Sequence, residues 1–223
     1  MHQQPCIRRS AKAGFAYHQG STGSGASLCH ETNGFIMSPT YLEKHKPEKM
    51  RNAFNIGLFI VGWLSCVLLP EKWPYLVTLI LLGIHFRWIG NWVKEREVLF
   101  ITLLVGSIID SVAGNLGLLH FPELAEPSRI LPGWLACIWL LLGTTIRHGL
   151  AWCSSRLWLS AVAGASLGVI HYGLINNLSP VRLDQPETIT LTIFVMIWML
   201  VLPVLQIFSK IWLERYKRQV TGI

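Results

Sequence analysis

Charged residues are scarce in this sequence. Asp, Glu, Lys and Arg make up 14% of its 223 residues, whereas a typical soluble domain has about 25%. Hydrophobic residues make up 52%, and ten residues are tryptophan. A soluble domain of this size would need a very large core to bury so much apolar surface. A membrane protein needs no such core, because lipid solvates its outer face.

The motifs of several enzyme classes are also absent. The five cysteines form no CxxC pair, and no HExxH, GxxxxGK[ST] or GxGxxG string occurs. These absences leave zinc-protease, redox, P-loop and dinucleotide functions without support. We therefore expect no metal site and no cofactor, and we can assign no catalytic residue.

Acidic residues are the minority among the charges, and the net charge is +7. A nucleic-acid-binding domain carries its basic residues as a stripe or a patch on one face. Here the basic residues cluster at the ends of apolar runs, where they act as topology signals. The expected partner is therefore the lipid bilayer, with no nucleic acid.

Residues 1–49 lack any long apolar run, and the stretch GSTGSGAS at 20–27 has the composition of a flexible linker. No basic segment followed by an apolar one is present, which excludes a signal peptide. Two interpretations remain: a disordered cytoplasmic tail, or a start assigned too early. Met50, followed by Arg51 and an apolar run, favours the second.

Six apolar runs follow, each about as long as a bilayer crossing requires. Prolines lie in the connections between the runs, where helix breakers belong. We expect one all-α domain over residues 50–223, a polytopic bundle of six transmembrane helices. The predicted spans are 53–69, 75–92, 98–119, 133–151, 157–176 and 188–211.

The basic residues predict the orientation of these spans. Ten of them fall on one side of the predicted membrane: Arg51, Arg87, Lys94, Arg96, Arg147, Arg156, Lys210, Arg215, Lys217 and Arg218. Only Lys72, Arg129 and Arg182 fall on the other. By the positive-inside rule, both termini are expected in the cytoplasm.

Asp110 stands alone within the third run, VLFITLLVGSIIDSVAGNLGLL. A carboxylate deep in a membrane costs roughly 2.5–3.5 kcal/mol on insertion scales, so such residues usually face protein and serve a function. Gly106 and Gly114 lie on the same helical stripe and let a neighbouring helix approach closely. Counting residues places His85 of the second span at a similar depth, which predicts a hydrogen bond between His85 and Asp110.

Two further polar groups are candidates for a site. One lies toward the cytoplasm, where an anion or a lipid head group could bind; it comprises Arg87, Asn91, Thr144, Arg147 and His148. For Arg147, extension to the interface is the structural alternative. The other group, Asn115, His171 and Tyr172, is expected toward the outer face.

The pattern from Met50 to about Val220 resembles a family of small bacterial inner-membrane proteins that is known only as a domain of unknown function. The matching segments include LGIHFRW, GSIIDSVAGNLGLLHFP and PGWLACIWLLLGTTIRHGLAW. The resemblance marks His85, Asp110, Thr144, Thr145 and His148. It also implies an association with genes for membrane-lipid or fatty-acid modification.

Three functions remain open after these observations. The first is an accessory or lipid-binding subunit of a membrane-lipid modification system, whose polar core would hold a lipid head group or another membrane protein. The second is a small proton-coupled transporter that uses His85 and Asp110. The third is a membrane-embedded enzyme with His148 or His85 as general base, oriented by Asp110.

Overall fold

A computed structural model describes residues 39–70, 72–122 and 131–221, with side chains from Glu48 onward. The described chain is almost entirely helical. Its elements are α1 (Pro39–Leu68), α2 (Trp73–Trp88), α3 (Trp92–Asn115), β1 (Leu119–His120), α4 (Gly133–Thr145), a 3-10 turn (Ala151–Ser155), α5 (Leu157–Leu178), β2 (Arg182–Leu183) and α6 (Glu187–Thr221).

Four of these helices are long and apolar enough to cross a membrane: α1 from Glu48, α3, α5 and α6. The six-span prediction is confirmed only in part, because α2 has 16 residues and α4 has 13. At 1.5 Å per residue, these two helices reach about 24 and 20 Å, less than the ~30 Å hydrocarbon core. The run predicted over 133–151 breaks after Thr145, whose carbonyl accepts hydrogen bonds from His148 N and Leu150 N.

The helices run up and down, so that α2 ends where α3 begins and α4 ends where α5 begins. We call this end, with Arg87, Lys94, Arg147 and Arg156, the basic end. At the opposite end, β1 and β2 pair antiparallel with Leu119 opposite Leu183; we call it the sheet end. Helix α6 continues past the basic end to Thr221.

Local sequence signals fix both ends of α3. Asn91 caps its start, because the side-chain oxygen accepts a hydrogen bond from Val93 N at 3.1 Å. At its end, Gly117 adopts φ +76°, and Leu118 N bonds to Ala113 O at 2.9 Å. This is a Schellman cap, in which glycine supplies the left-handed residue. Glu95 and Asp110 are thereby held near opposite ends of one rigid helix.

Small residues let the helices approach closely at two places. A Cβ added at Gly164 of α5 would lie 2.2 Å from the Trp198 carbonyl oxygen of α6, and one at Gly106 of α3 would lie 1.8 Å from the Trp139 ring of α4. Large apolar side chains cover the outside: Leu79, Phe100 and Leu200 are 64–70% exposed. Such a surface suits lipid rather than water.

The prediction for residues 1–38 lies outside the described residues. Helix α1 begins at Pro39, so the last part of the predicted tail, residues 39–49, is helical.

Candidate functional site

Three buried side chains from separate parts of the chain meet at the basic end. Glu95 of α3 bonds through Oε2 to His85 Nε2 at 2.8 Å and through Oε1 to His148 Nε2 at 3.0 Å. His85 is 1%, Glu95 6% and His148 9% exposed. We call these residues the His–Glu–His cluster. Its carboxylate also accepts a hydrogen bond from Asn91 N at 3.1 Å.

Asn55 of α1 determines which ring nitrogen of His85 carries the proton. The Asn55 Oδ1 atom accepts a hydrogen bond from Gly149 N at 3.1 Å, and Nδ2 donates to the Thr144 carbonyl at 3.3 Å. With the amide so oriented, Nδ2 also donates to His85 Nδ1 at 3.3 Å. His85 therefore carries its proton on Nε2 and donates it to Glu95.

Asp110 lies in a second cluster, toward the sheet end. It is fully buried, and it accepts hydrogen bonds from Trp139 Nε1 at 2.5 Å and from the Tyr172 hydroxyl at 2.6 Å. Trp198 stacks on Trp139 at 5.0 Å, and Phe194 stacks on Tyr172 at 3.7 Å between ring centroids. Asp110 thus fastens two aromatic pairs that join α3 to α4, α5 and α6.

The predicted hydrogen bond between His85 and Asp110 is wrong. His85 lies in the last turn of α2, because that helix ends at Trp88, and Glu95 takes the place assigned to Asp110. Glu95 and Asp110 are 15 residues apart on α3, about 22 Å along its axis. Buried Val98, Leu99 and Thr102 lie between the two positions, and no hydrogen bond among the described residues joins the two clusters.

His171 presents an unpaired donor beside the Asp110 cluster. Trp63 Nε1 donates to His171 Nδ1 at 2.9 Å, and an indole nitrogen can only donate. The neutral ring therefore carries its proton on Nε2, which is buried and has no hydrogen-bond partner among the described residues. Trp198 Nε1 is also buried; it makes no hydrogen bond of normal geometry among the described residues, although Trp198 interacts with the Tyr172 hydroxyl.

A cavity of about 370 Å³ adjoins these two rings. Apart from His171 and Trp198, its walls are formed by aliphatic and aromatic residues of α1, α4 and α5. Ile60 and Ile170, which line it from α1 and α5, are 51% and 54% exposed. The cavity is therefore open at the outer surface of the protein, between α1 and α5.

The other predicted site residues separate into different environments. Arg147 turns inward and donates to Ser209 Oγ and Ser209 O, each at 2.9 Å, and to the Lys94 carbonyl. It therefore joins α6 to the start of α3, whereas Arg87 is exposed. The hydroxyls of Thr144 and Thr145 bond to carbonyls of their own helix, Leu141 O and Leu142 O.

The predicted outer group also divides. Asn115 is exposed at the end of α3 and donates to Ser111 O at 2.7 Å. His171 and Tyr172 are buried and belong to the cavity wall and the Asp110 cluster. Asn91, predicted as an anion contact, instead caps α3.

Sequence reasoning missed Glu95 of the His–Glu–His cluster and Asn55, whose side chain contacts His85 of the cluster. Glu95 was assigned to a connecting loop between two spans. A signal was available, because Asn91 and Glu95 are spaced as an N-cap and a first-turn acid, with Val98, Leu99 and Thr102 continuing one buried stripe. Asn55 carried a weaker signal, an isolated amide within the first apolar run.

These features define an all-helical protein with four helices that could span a membrane and with polar groups buried between them. The chain belongs to the family described as protein of unknown function (DUF2878), whose model matches residues 52–204. The match covers parts of α1 and α6 and everything described between them, including both polar clusters. Comparisons with curated proteins and with solved structures gave no match.

Proposed function

We propose that this protein is a lipid-binding accessory subunit, which holds a neutral lipid in the cavity between α1 and α5. The carrying observation is that His171, whose Nε2 donor is buried and unpaired among the described residues, lines an otherwise apolar cavity. A buried donor without a partner costs about 1–3 kcal/mol, so an acceptor oxygen of a bound molecule would offset that cost.

The chemistry of the cavity wall selects the kind of lipid. About 370 Å³ lies within the range of small-molecule sites, about 300–1,000 Å³. Among the described residues no Lys or Arg lines it, which disfavours a free carboxylate or a phosphate. A carbonyl oxygen on an apolar body suits one or two N–H donors, and an acyl ester or a prenylquinone supplies that chemistry.

In this proposal Asp110 does not contact the lipid. Through Trp139 it holds Trp198, and through Tyr172 it holds the segment that carries His171. The intramembrane carboxylate therefore acts as a positioning group for the cavity wall, which gives it a role that needs neither proton transfer nor catalysis.

We further propose that the protein lies in a bacterial inner membrane with its basic end in the cytoplasm, and that it serves a membrane-lipid or fatty-acid modification system. The ten basic residues at one side support the orientation. The transporter and enzyme alternatives relied on contact between Asp110 and a histidine near mid-membrane. That contact is replaced by the pairs with Glu95, so neither alternative has a specific observation in its favour.

Native mass spectrometry of the purified protein, with identification of the retained lipids, tests the proposal. We expect one bound lipid that carries a carbonyl group, and its mass distinguishes an acyl ester from a prenylquinone. His171→Asn keeps an acceptor for Trp63 and removes the Nε2 donor. It should lower occupancy about 3- to 10-fold, the value of one hydrogen bond.

The matched control is His120→Asn, which alters an exposed histidine in β1 and should leave occupancy unchanged. Equal occupancy in wild type and His171→Asn would contradict the proposal. Comparison of the lipid profiles of a deletion strain and its parent tests the link to lipid modification, and identical profiles across growth conditions would exclude that link.

A further inference from the structure

We propose that the His–Glu–His cluster at the basic end binds one divalent transition-metal ion. One ligand atom each of His85, Glu95 and His148 lies within 4.8 Å of the other two, and Nε2 of both histidines contacts the Glu95 carboxylate. Two imidazoles and one carboxylate form a ligand set that suits Zn²⁺ and Fe²⁺ in proteins. Two nitrogen ligands disfavour Mg²⁺ and Ca²⁺, which prefer oxygen.

The three donors converge from α2, α3 and the turn after α4, so tertiary structure and not local sequence brings them together. All three are buried, and among the described residues Glu95 makes no ion pair with a Lys or Arg. Arg147 interacts with Glu95 electrostatically, but its guanidinium donates its hydrogen bonds to Ser209 and the Lys94 carbonyl. A cation would therefore meet a carboxylate whose side-chain hydrogen-bond partners are the two histidines.

Gly90 leaves room beside the donor atoms. A Cβ at this position would lie 2.4 Å from His85 Nε2 and 2.5 and 2.8 Å from the two Glu95 oxygens. Zinc sits about 2.0–2.2 Å from nitrogen and oxygen ligands, so contraction of the three donors around an ion requires this backbone to carry no side chain. The hydrogen bond from Asn91 N orients the carboxylate from the same loop.

Asn55 sets the cost of this binding. A metal on His85 Nε2 requires the ring proton to move to Nδ1, where it faces the Asn55 amide donor. The contact broken is 3.3 Å long, weaker than either bond to Glu95. A histidine that binds a metal through one ring nitrogen usually donates the proton of its other ring nitrogen to a carboxylate or a carbonyl. Asn55→Asp should therefore tighten Zn²⁺ binding by about tenfold.

The experiment measures metal content and Zn²⁺ affinity of the full-length protein in detergent after removal of any affinity tag. We expect one metal equivalent more in wild type than in Glu95→Gln or His148→Asn. Loss of a residue that only hydrogen-bonds to a metal ligand lowers metal affinity about 10- to 100-fold. Loss of a ligand itself in these variants should lower the Zn²⁺ affinity by more than that. Histidines at 2, 18, 30 and 45 are present in every variant, so the difference reports the cluster.

His120→Asn serves as the matched control, because it removes a histidine of an exposed His–carboxylate pair, and it should keep the wild-type metal content.

Titration of wild type with Co²⁺ gives a readout that needs no variant. Intense visible bands of a four-coordinate ion are expected, and their absence would overturn the proposal. Equal metal content in wild type, Glu95→Gln and His148→Asn would overturn it as well and indicate adventitious binding only. Unchanged or weaker affinity in folded Asn55→Asp would overturn His85 as a ligand.

Discussion

At the scale of single residues, the two buried carboxylates, Glu95 and Asp110, differ in the donors that hydrogen-bond to them. Glu95 is shared by two histidines and a backbone amide, whereas Asp110 accepts only neutral donors, an indole and a phenol. Hydrogen bonds to a charged group are stronger than neutral ones, about 1.5–3 kcal/mol each. Each carboxylate therefore holds several helices together, and neither is free to act alone.

Asp110→Asn should destabilise the protein by about 1–3 kcal/mol. If the amide oxygen keeps the hydrogen bond from Trp139, the amide nitrogen faces the Tyr172 hydroxyl, which must turn to accept, and both hydrogen bonds to a charged group become neutral ones. Chemical or thermal unfolding in detergent measures the loss. Asp184→Asn, a change at an exposed carboxylate, should stay within about 0.5 kcal/mol, and equal stability of both variants would argue against the Asp110 cluster.

Gly90→Ala should destabilise the basic end, because the added methyl group would overlap His85 and Glu95. Overpacking of this kind typically costs about 1–3 kcal/mol. Gly83→Ala in α2 is the control, since a Cβ there meets no atom within 4 Å and alanine favours a helix by up to about 1 kcal/mol. The two unfolding midpoints should move in opposite directions; a shared direction would contradict the packing of the His–Glu–His cluster.

At the scale of elements, hydrophobic runs predicted which segments are helical but not where α2 and α4 end. His85 was placed near mid-membrane because its run was counted to Trp92, four residues beyond the end of α2. The turn after Thr145 carries His148 inward, and no periodicity signals that turn. The turn is held by contacts between residues distant in sequence, such as the hydrogen bond from Gly149 N to Asn55 Oδ1. The close approach of a neighbouring helix at Gly106, in contrast, was predicted, because small residues at every fourth position permit close packing.

Gly164→Ala tests the contact between α5 and α6. The added Cβ would lie 2.2 Å from a backbone oxygen of α6, which cannot move without shifting that helix. A loss of about 1–3 kcal/mol is expected. Gly173→Ala on the same helix meets nothing within 4 Å and should be neutral or stabilising. Unfolding scans of both variants decide the matter, and an unharmed Gly164→Ala protein would refute this interface.

At the scale of the whole molecule, chemistry is divided between the two ends. The basic end holds the His–Glu–His cluster, Asp110 and His171 lie nearer the sheet end, and the lateral cavity runs along α1 from Ile56 to Leu64. Composition and charge patterning predicted a helical membrane protein with one basic side. They could not reveal the cavity, because its walls come from residues of α1, α4, α5 and α6 that are distant in sequence.

Reporter fusions test the proposed orientation. A reporter that is active only in the cytoplasm, joined after Ile223, should be active, because the basic end is expected there. The same reporter inserted after Leu116, at the sheet end, should be inactive. The reverse pattern would contradict the orientation and would place the His–Glu–His cluster on the outer side.

The most direct test of the account is site-specific photo-crosslinking in native membranes, with a photoreactive residue at Leu167 in the cavity or at Val162, which is 56% exposed on the same helix. The Leu167 position should capture one discrete carbonyl-bearing lipid, and His171→Asn should reduce that adduct several-fold. Val162 should capture bulk lipids in proportion to their abundance, with no effect of His171→Asn. Identical lipid mixtures at both positions would contradict a lipid-binding cavity.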